Sequence, residues 1–98
     1  MRRVHYADVS SAARALMMVP APDRVAVCDG FLRRAARADR YRQFTGKAHP
    51  LWGTGSLMEV ARWHPMPPEP GFDNPAYCAA MRVVLGCLQR RAFSRTRS

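Results

Sequence analysis

The sequence predicts an all-α fold: a small bundle of about four helices, with one long amphipathic helix and a proline-rich connector. Three observations carry this. Apolar residues recur at three-and-four spacing in successive segments. Prolines fall between those segments or at a helix start, and Gly30 is only a mild interruption of the longest, costing up to about 1 kcal/mol relative to alanine. No alternating run with an Asn-Gly type of turn marks a strand pair. With 98 residues and no internal repeat, the chain reads as a single helical domain, 1–98, near the usual domain size of about 100–150 residues.

The first helix is expected from Asp8, as N-cap, to about Val19, with Val9, Ala12, Ala13 and Leu16 at helical spacing. Pro20 and Pro22 end it, because the residue before a proline is pushed out of the helical region. The second and longest helix runs from an Asp23 cap to about Thr45, with Gly46 at the C-terminal position that favours glycine. Val25, Cys28, Phe31, Leu32, Ala35 and Ala36 share its apolar arc. Arg33, Arg34, Arg37 and Arg40 occupy the opposite side, joined by Tyr41, and Asp39 breaks the pattern by landing in the apolar arc. A loop from Gly46 to Gly55 leads to a short third helix over about Leu57–Trp63. "HPMPPEPG", with four prolines in eight residues, is an extended connector. Asn74 then caps a last helix with Pro75 at its first position, where a missing N–H is harmless. Tyr77, Cys78, Met81, Val84, Leu85 and Leu88 form its apolar face, and residues 90–98 form a basic tail expected to fray.

The charge is lopsided. Net charge is +9, and Lys47 is the only lysine among sixteen basic residues. Such a balance points to a nucleic acid or an acidic protein as partner, although a GC-rich genome would also enrich arginine. Arg33, Arg34, Arg37 and Arg40, with Arg90, Arg91, Arg95 and Arg97 in the tail, are the expected contact residues. A solvated helix face is the plainer account of the same stripe. The odd set Cys28, Cys78 and Cys87 lies in apolar stretches and reads as reduced, buried thiols. With no signal peptide and no apolar run of about 18 residues, the expectation is a cytoplasmic protein without membrane contact.

"HPLWGTGSLMEVA", His49 to Ala61, resembles a phosphate loop but lacks the Gly-x-x-x-x-Gly-Lys-[Ser/Thr] spacing and a preceding strand. It matches a capping box instead, Ser56 with Glu59. Asp39 must find donors, and the candidates are Arg42, His49 and the free N–H groups starting the third helix. Together Asp39, Arg42, His49, Ser56 and Glu59 are expected to anchor the loop. A catalytic role for Asp39 has no partner carboxylate at suitable spacing. Cys28, His49, His64 and Cys78 lack the spacing of a zinc site, so neither a metal nor a cofactor is expected. "FDNPAY" mimics an Asn-Pro-x-Tyr docking signal, yet capping explains it.

From "HYADV" through "ADRYRQFTGKAHPLWGTGSLMEVA" to "EPGFDNPAYC", the chain resembles a group of small helical proteins from alphaproteobacteria. That group is loosely linked to phage-like gene-transfer-agent clusters. The resemblance implies a non-catalytic, small-terminase-like component of DNA packaging, which can assemble into rings. The functional expectation is therefore a non-enzymatic basic helical adaptor. The alternative is a helical protein–protein or self-assembly module, a homo-oligomer with no nucleic-acid role.

Overall fold

The computed structural model describes residues 1–97, and side chains as far as Phe93. Four α-helices follow one another: α1 Tyr6–Leu16, α2 Arg24–Thr45, α3 Leu57–Ala61 and α4 Pro75–Arg97, with one 3₁₀ turn at Ala21–Asp23. Among the described residues there is no strand, only an isolated antiparallel pairing of His49 with Gly53. The fold is the small all-α bundle that the periodicity predicts.

α1 and α2 each pack against both α3 and α4, and against each other. The core sits where these contacts meet. α1 supplies Val9, Ala12, Ala13 and Leu16, and α2 supplies Cys28, Phe31, Leu32 and Ala35. α3 adds Leu57, Val60 and Ala61, and α4 adds Tyr77, Ala80, Val84 and Cys87. Alanines at the contacts bring backbones close, while Phe31, Leu16 and Leu32 provide volume at roughly 1.5–3 kcal/mol for each side chain buried.

Several ends differ from the sequence expectation, each for a visible reason. α1 begins at Tyr6, two residues early, and His5 rather than Asp8 is its cap residue. Asp8 is the third residue of the helix, and its carboxylate accepts from the His5 N–H at 2.9 Å. Its other oxygen accepts from the Met58 N–H, also at 2.9 Å, in the first turn of α3. One buried side chain thus satisfies donors at the starts of two helices that are 50 residues apart. α1 stops at Leu16, followed by turns through Val19, and α3 stops at Ala61, leaving Trp63 in the turn beyond. Gly46 ends α2 as expected, at φ 73° with its N–H donating to the Arg42 carbonyl. Asn74 accepts from the Tyr77 N–H at 3.1 Å, the expected cap of α4.

Two residues assigned to apolar faces lie outside. Val25 is 46% exposed because the helix only reaches the core from Cys28, and Leu85 is 53% exposed while Ala80 and Cys87 take the inward positions. α4 continues past Arg90 to Arg97, so the basic tail stays helical through that residue. The side chains of Arg95 and Arg97, and Ser98 altogether, lie outside the described residues.

Replacing Asp8 tests the double cap. Asp8→Ala leaves the His5 and Met58 N–H groups without their acceptor and should cost roughly 1–3 kcal/mol in urea unfolding. Asp8→Asn, which keeps an acceptor, should recover part of that loss.

Candidate functional site

Helical spacing places Arg33, Arg34 and Arg37 on the outer side of α2, where all three are exposed. With Gly30 and Trp52 they line a cleft of about 190 Å³. Gly30 is its floor: Arg34 Nη1 and Arg33 Nη2 lie 3.7 and 3.8 Å from where a Cβ would stand. Arg33 also lines a second cleft, shared with Asp29, Leu32, Cys87, Arg90 and Arg91. Arg33, common to both clefts, brings the α2 stripe beside the first part of the α4 basic segment. Arg40 is exposed on the same helix but lines neither cleft. The ion pairs among the described residues both involve Asp39, so no carboxylate bridges these arginines. Arg91 Nε is buried without a hydrogen-bond partner.

Trp52 reaches the trough because the loop before α3 is folded tightly. His49 and Gly53 exchange backbone hydrogen bonds of 2.8 and 3.1 Å. His49 Nδ1 accepts from the Leu51 and Trp52 N–H groups at 3.1 and 3.2 Å. The His49 ring stacks on the indole at 4.5 Å and 6°, with Tyr41 edge-on behind it. His49 thus organises the turn internally and is not a partner of Asp39. Trp52 is half-buried and Leu51 is 54% exposed. A further cleft of about 190 Å³ adjoins the first, lined by Arg34, Leu51, Trp52, Val60, Trp63 and His64.

The loop packs on α2 at Asp39 through Gly55, but the donors to the Asp39 carboxylate, the expected Arg42 together with Gln43 and Met1, lie outside the loop. Arg42 Nη2 donates to Oδ1 at 3.1 Å, Gln43 Nε2 to Oδ2 at 3.3 Å, and the Met1 ammonium lies 3.3 Å from Oδ2. The N–H groups of α3 go elsewhere: Met58 to Asp8, and Glu59 to the Ser56 hydroxyl at 3.2 Å. Gly55 presses directly on Asp39, at φ 102°, and a Cβ there would stand 2.5 Å from Asp39 Cβ and 2.7 Å from its Cα. Arg42 Nε donates to the Thr54 carbonyl at 3.2 Å, and the Arg2 N–H to the Gly55 carbonyl at 3.0 Å. The capping box is half formed. Ser56 caps α3, but the Glu59 carboxylate turns to the Thr54 N–H and hydroxyl rather than to Ser56. Burial pushes the Asp39 carboxyl up, yet the Arg42 guanidinium and the Met1 ammonium outweigh it and hold the carboxyl below the usual carboxylate range.

A second acid, not singled out by its sequence context, ties down the connector. The Glu69 carboxylate accepts from Ser10 Oγ at 2.8 Å and from the Tyr6 hydroxyl at 3.0 Å. The Ser10 hydrogen bond, followed by that of Tyr6, draws the Glu69 carboxyl below its ordinary value. Tyr77 hydrogen-bonds to Ser10 at 2.8 Å, and Phe72 stacks on Tyr77. "FDNPAY" thereby joins the cap of α4 to this cluster. Its only sequence signal is a lone acid among four prolines.

The residues weighed for a metal are dispersed. Cys28 packs with Cys87, where burial pushes up both thiols. Cys78, half-buried, donates to the Phe72 carbonyl, and His64 lies against Phe31. No three His, Cys, Asp or Glu groups among the described residues could hold a metal ion together. No helix among them is long and apolar enough to cross a membrane.

Comparison with known proteins places the chain in a family. The model described as domain of unknown function DUF7742 matches residues 2–88, and the chain belongs to that family. No curated protein and no solved structure matches it.

The two anchors predict measurable effects. Gly55→Ala combines an unfavourable φ with overlap on the α2 backbone and should cost roughly 3 kcal/mol in thermal or urea unfolding. Because the folded Asp39 and Glu69 carboxyls titrate below the unfolded value of about 4, their stabilisation is complete above that pH. It is lost as pH falls through their depressed folded values. Urea melts at stepped pH should show this acid-side loss, and Asp39→Asn should make it shallower while lowering stability at neutral pH by about 1–3 kcal/mol.

Proposed function

We propose that this DUF7742 chain is a non-enzymatic helical adaptor that contacts nucleic acid through the arginine trough spanning α2 and α4. The observation that carries the reading is the convergence of Arg33, Arg34, Arg37, Arg90 and Arg91 around two clefts that share Arg33, with Asp29 alone among the described acids lining them and none ion-paired to these arginines. A guanidinium presents a planar fork of donors that matches phosphate oxygens. An unneutralised row of such groups releases counterions when it meets a phosphate backbone. The resemblance to small alphaproteobacterial helical proteins, with its loose link to gene-transfer-agent clusters, extends the proposal to a small-terminase-like role in DNA packaging, with Arg40, Arg95 and Arg97 as further contacts.

Self-association is the second reading. Phe44 is 87% exposed near the end of α2, with Tyr41 one turn before it. Such an apolar edge suits a second helical surface. Light scattering that shows an oligomer, reduced to monomer by Phe44→Ser, would support it, and a monomer in the native chain would remove it.

The nucleic-acid reading predicts binding of labelled DNA, as single strand or duplex, in fluorescence anisotropy. For about five phosphate contacts, duplex affinity should fall about 10²- to 10³-fold between roughly 50 and 200 mM salt. Replacing Arg33, Arg34 and Arg37 together with alanine should lower the slope of log affinity on log salt by about 2–3. Failure to bind either form at low salt, or a triple variant with the native slope, overturns the reading.

A further inference from the structure

The arginine cleft and the aromatic cleft share two residues, Arg34 and Trp52. One is polar and lined by guanidinium groups; the other is lined by Leu51, Val60, two indoles and an imidazole. We propose that the pair is a single-strand site, with a phosphate held by Arg33, Arg34 and Arg37 and the adjoining base stacked in the aromatic cleft. This rests on the nucleic-acid reading above and narrows it to an unpaired segment.

Three features favour a base as occupant. The aromatic cleft, at about 190 Å³, exceeds the roughly 150 Å³ cavity known to accept one benzene ring. Its indoles offer π-faces: Trp52 is braced by the stacked His49 ring, and Trp63 is 65% exposed. His64 lines the cleft as a half-buried ring held against Phe31 at 4.7 Å. The neighbouring guanidinium groups complement the one charge every nucleotide brings. A duplex cannot use the aromatic cleft without unpairing and unstacking a base, whereas a single strand offers its bases freely.

The chain provides its own probe, because its two tryptophans are the two that line this cleft. Three ligands of equal length separate the ideas: an oligothymidylate, the corresponding abasic strand, and a duplex. The proposal expects the oligothymidylate to quench tryptophan fluorescence and to bind about 10-fold or more tightly than the abasic strand. The duplex should bind without comparable quenching. Trp63→Ala, at an exposed position, should weaken oligothymidylate binding about 10-fold and leave duplex binding unchanged. Equal binding of thymidylate and abasic strands without quenching overturns the base site while the phosphate-binding trough stands. Binding of none of the three overturns both.

Discussion

The carboxylate of Asp8 is the interaction on which the arrangement depends. α3 has only five residues, far fewer than a helix needs to persist alone. It is held by three buried side chains, Leu57, Val60 and Ala61, and by acceptors for its first N–H groups. Asp8 provides one of those acceptors from α1, and Ser56 provides another locally. Because Asp8 also accepts from His5, the starts of α1 and α3 are fixed relative to each other by one buried group. The position of α3 then sets both sides of the aromatic cleft, since Leu51 and Trp52 precede it and Trp63 and His64 follow it.

Packing of Gly55 on α2 at Asp39 fixes the same loop from the other direction. Gly55 can approach α2 only because it has no side chain, and the close contact puts Thr54 and Gly55 within reach of Arg42 and Arg2. Between these fixed points the His49–Gly53 turn closes on itself. The segment from Gly53 to Ser56, which on composition suggested a phosphate cradle, carries no anion role in this geometry. Its glycines let the loop fold back on α2, and that fold sets Trp52 over the arginine stripe. The chemistry lies in the residues that the loop presents.

Much of this was legible in the sequence, and the limits have a common cause. Helix identity follows from local periodicity, so the all-α class, the Gly46 end of α2 and the Asn74-Pro75 start of α4 could be read directly. Ser56 capping and the pairing of Asp39 with Arg42 could be read as well, because a cap motif is local and a charge in an apolar arc demands a partner. The identity of distant partners could not. Asp8 resembles any N-cap until Met58, 50 positions away, is known to face it. Gln43 and Met1 stand beside Asp39 in place of His49, whose ring is turned into its own loop and stacked on Trp52. Val25 and Leu85 sit on arcs drawn by angle alone, and where neighbouring helices end decides which part of an arc is covered.

The distribution of acids explains why an arginine face survives. Seven carboxylates stand against sixteen basic side chains, and four of the seven are engaged within the fold. Asp8 caps two helices, Asp39 holds Arg42 and Met1, Glu59 binds Thr54, and Glu69 binds Ser10 and Tyr6. Asp23, Asp29 and Asp73 remain, and of these only Asp29 borders the basic trough. Four of the seven acids are thus engaged within the fold, and Asp29 is the described carboxylate that lines a cleft with Arg33. A like-charged cluster of this kind raises the energy of the isolated chain through self-repulsion. On the nucleic-acid reading proposed above, a phosphate in the trough relieves that repulsion, which links the folding role of the acids to the proposed partner chemistry of the arginines.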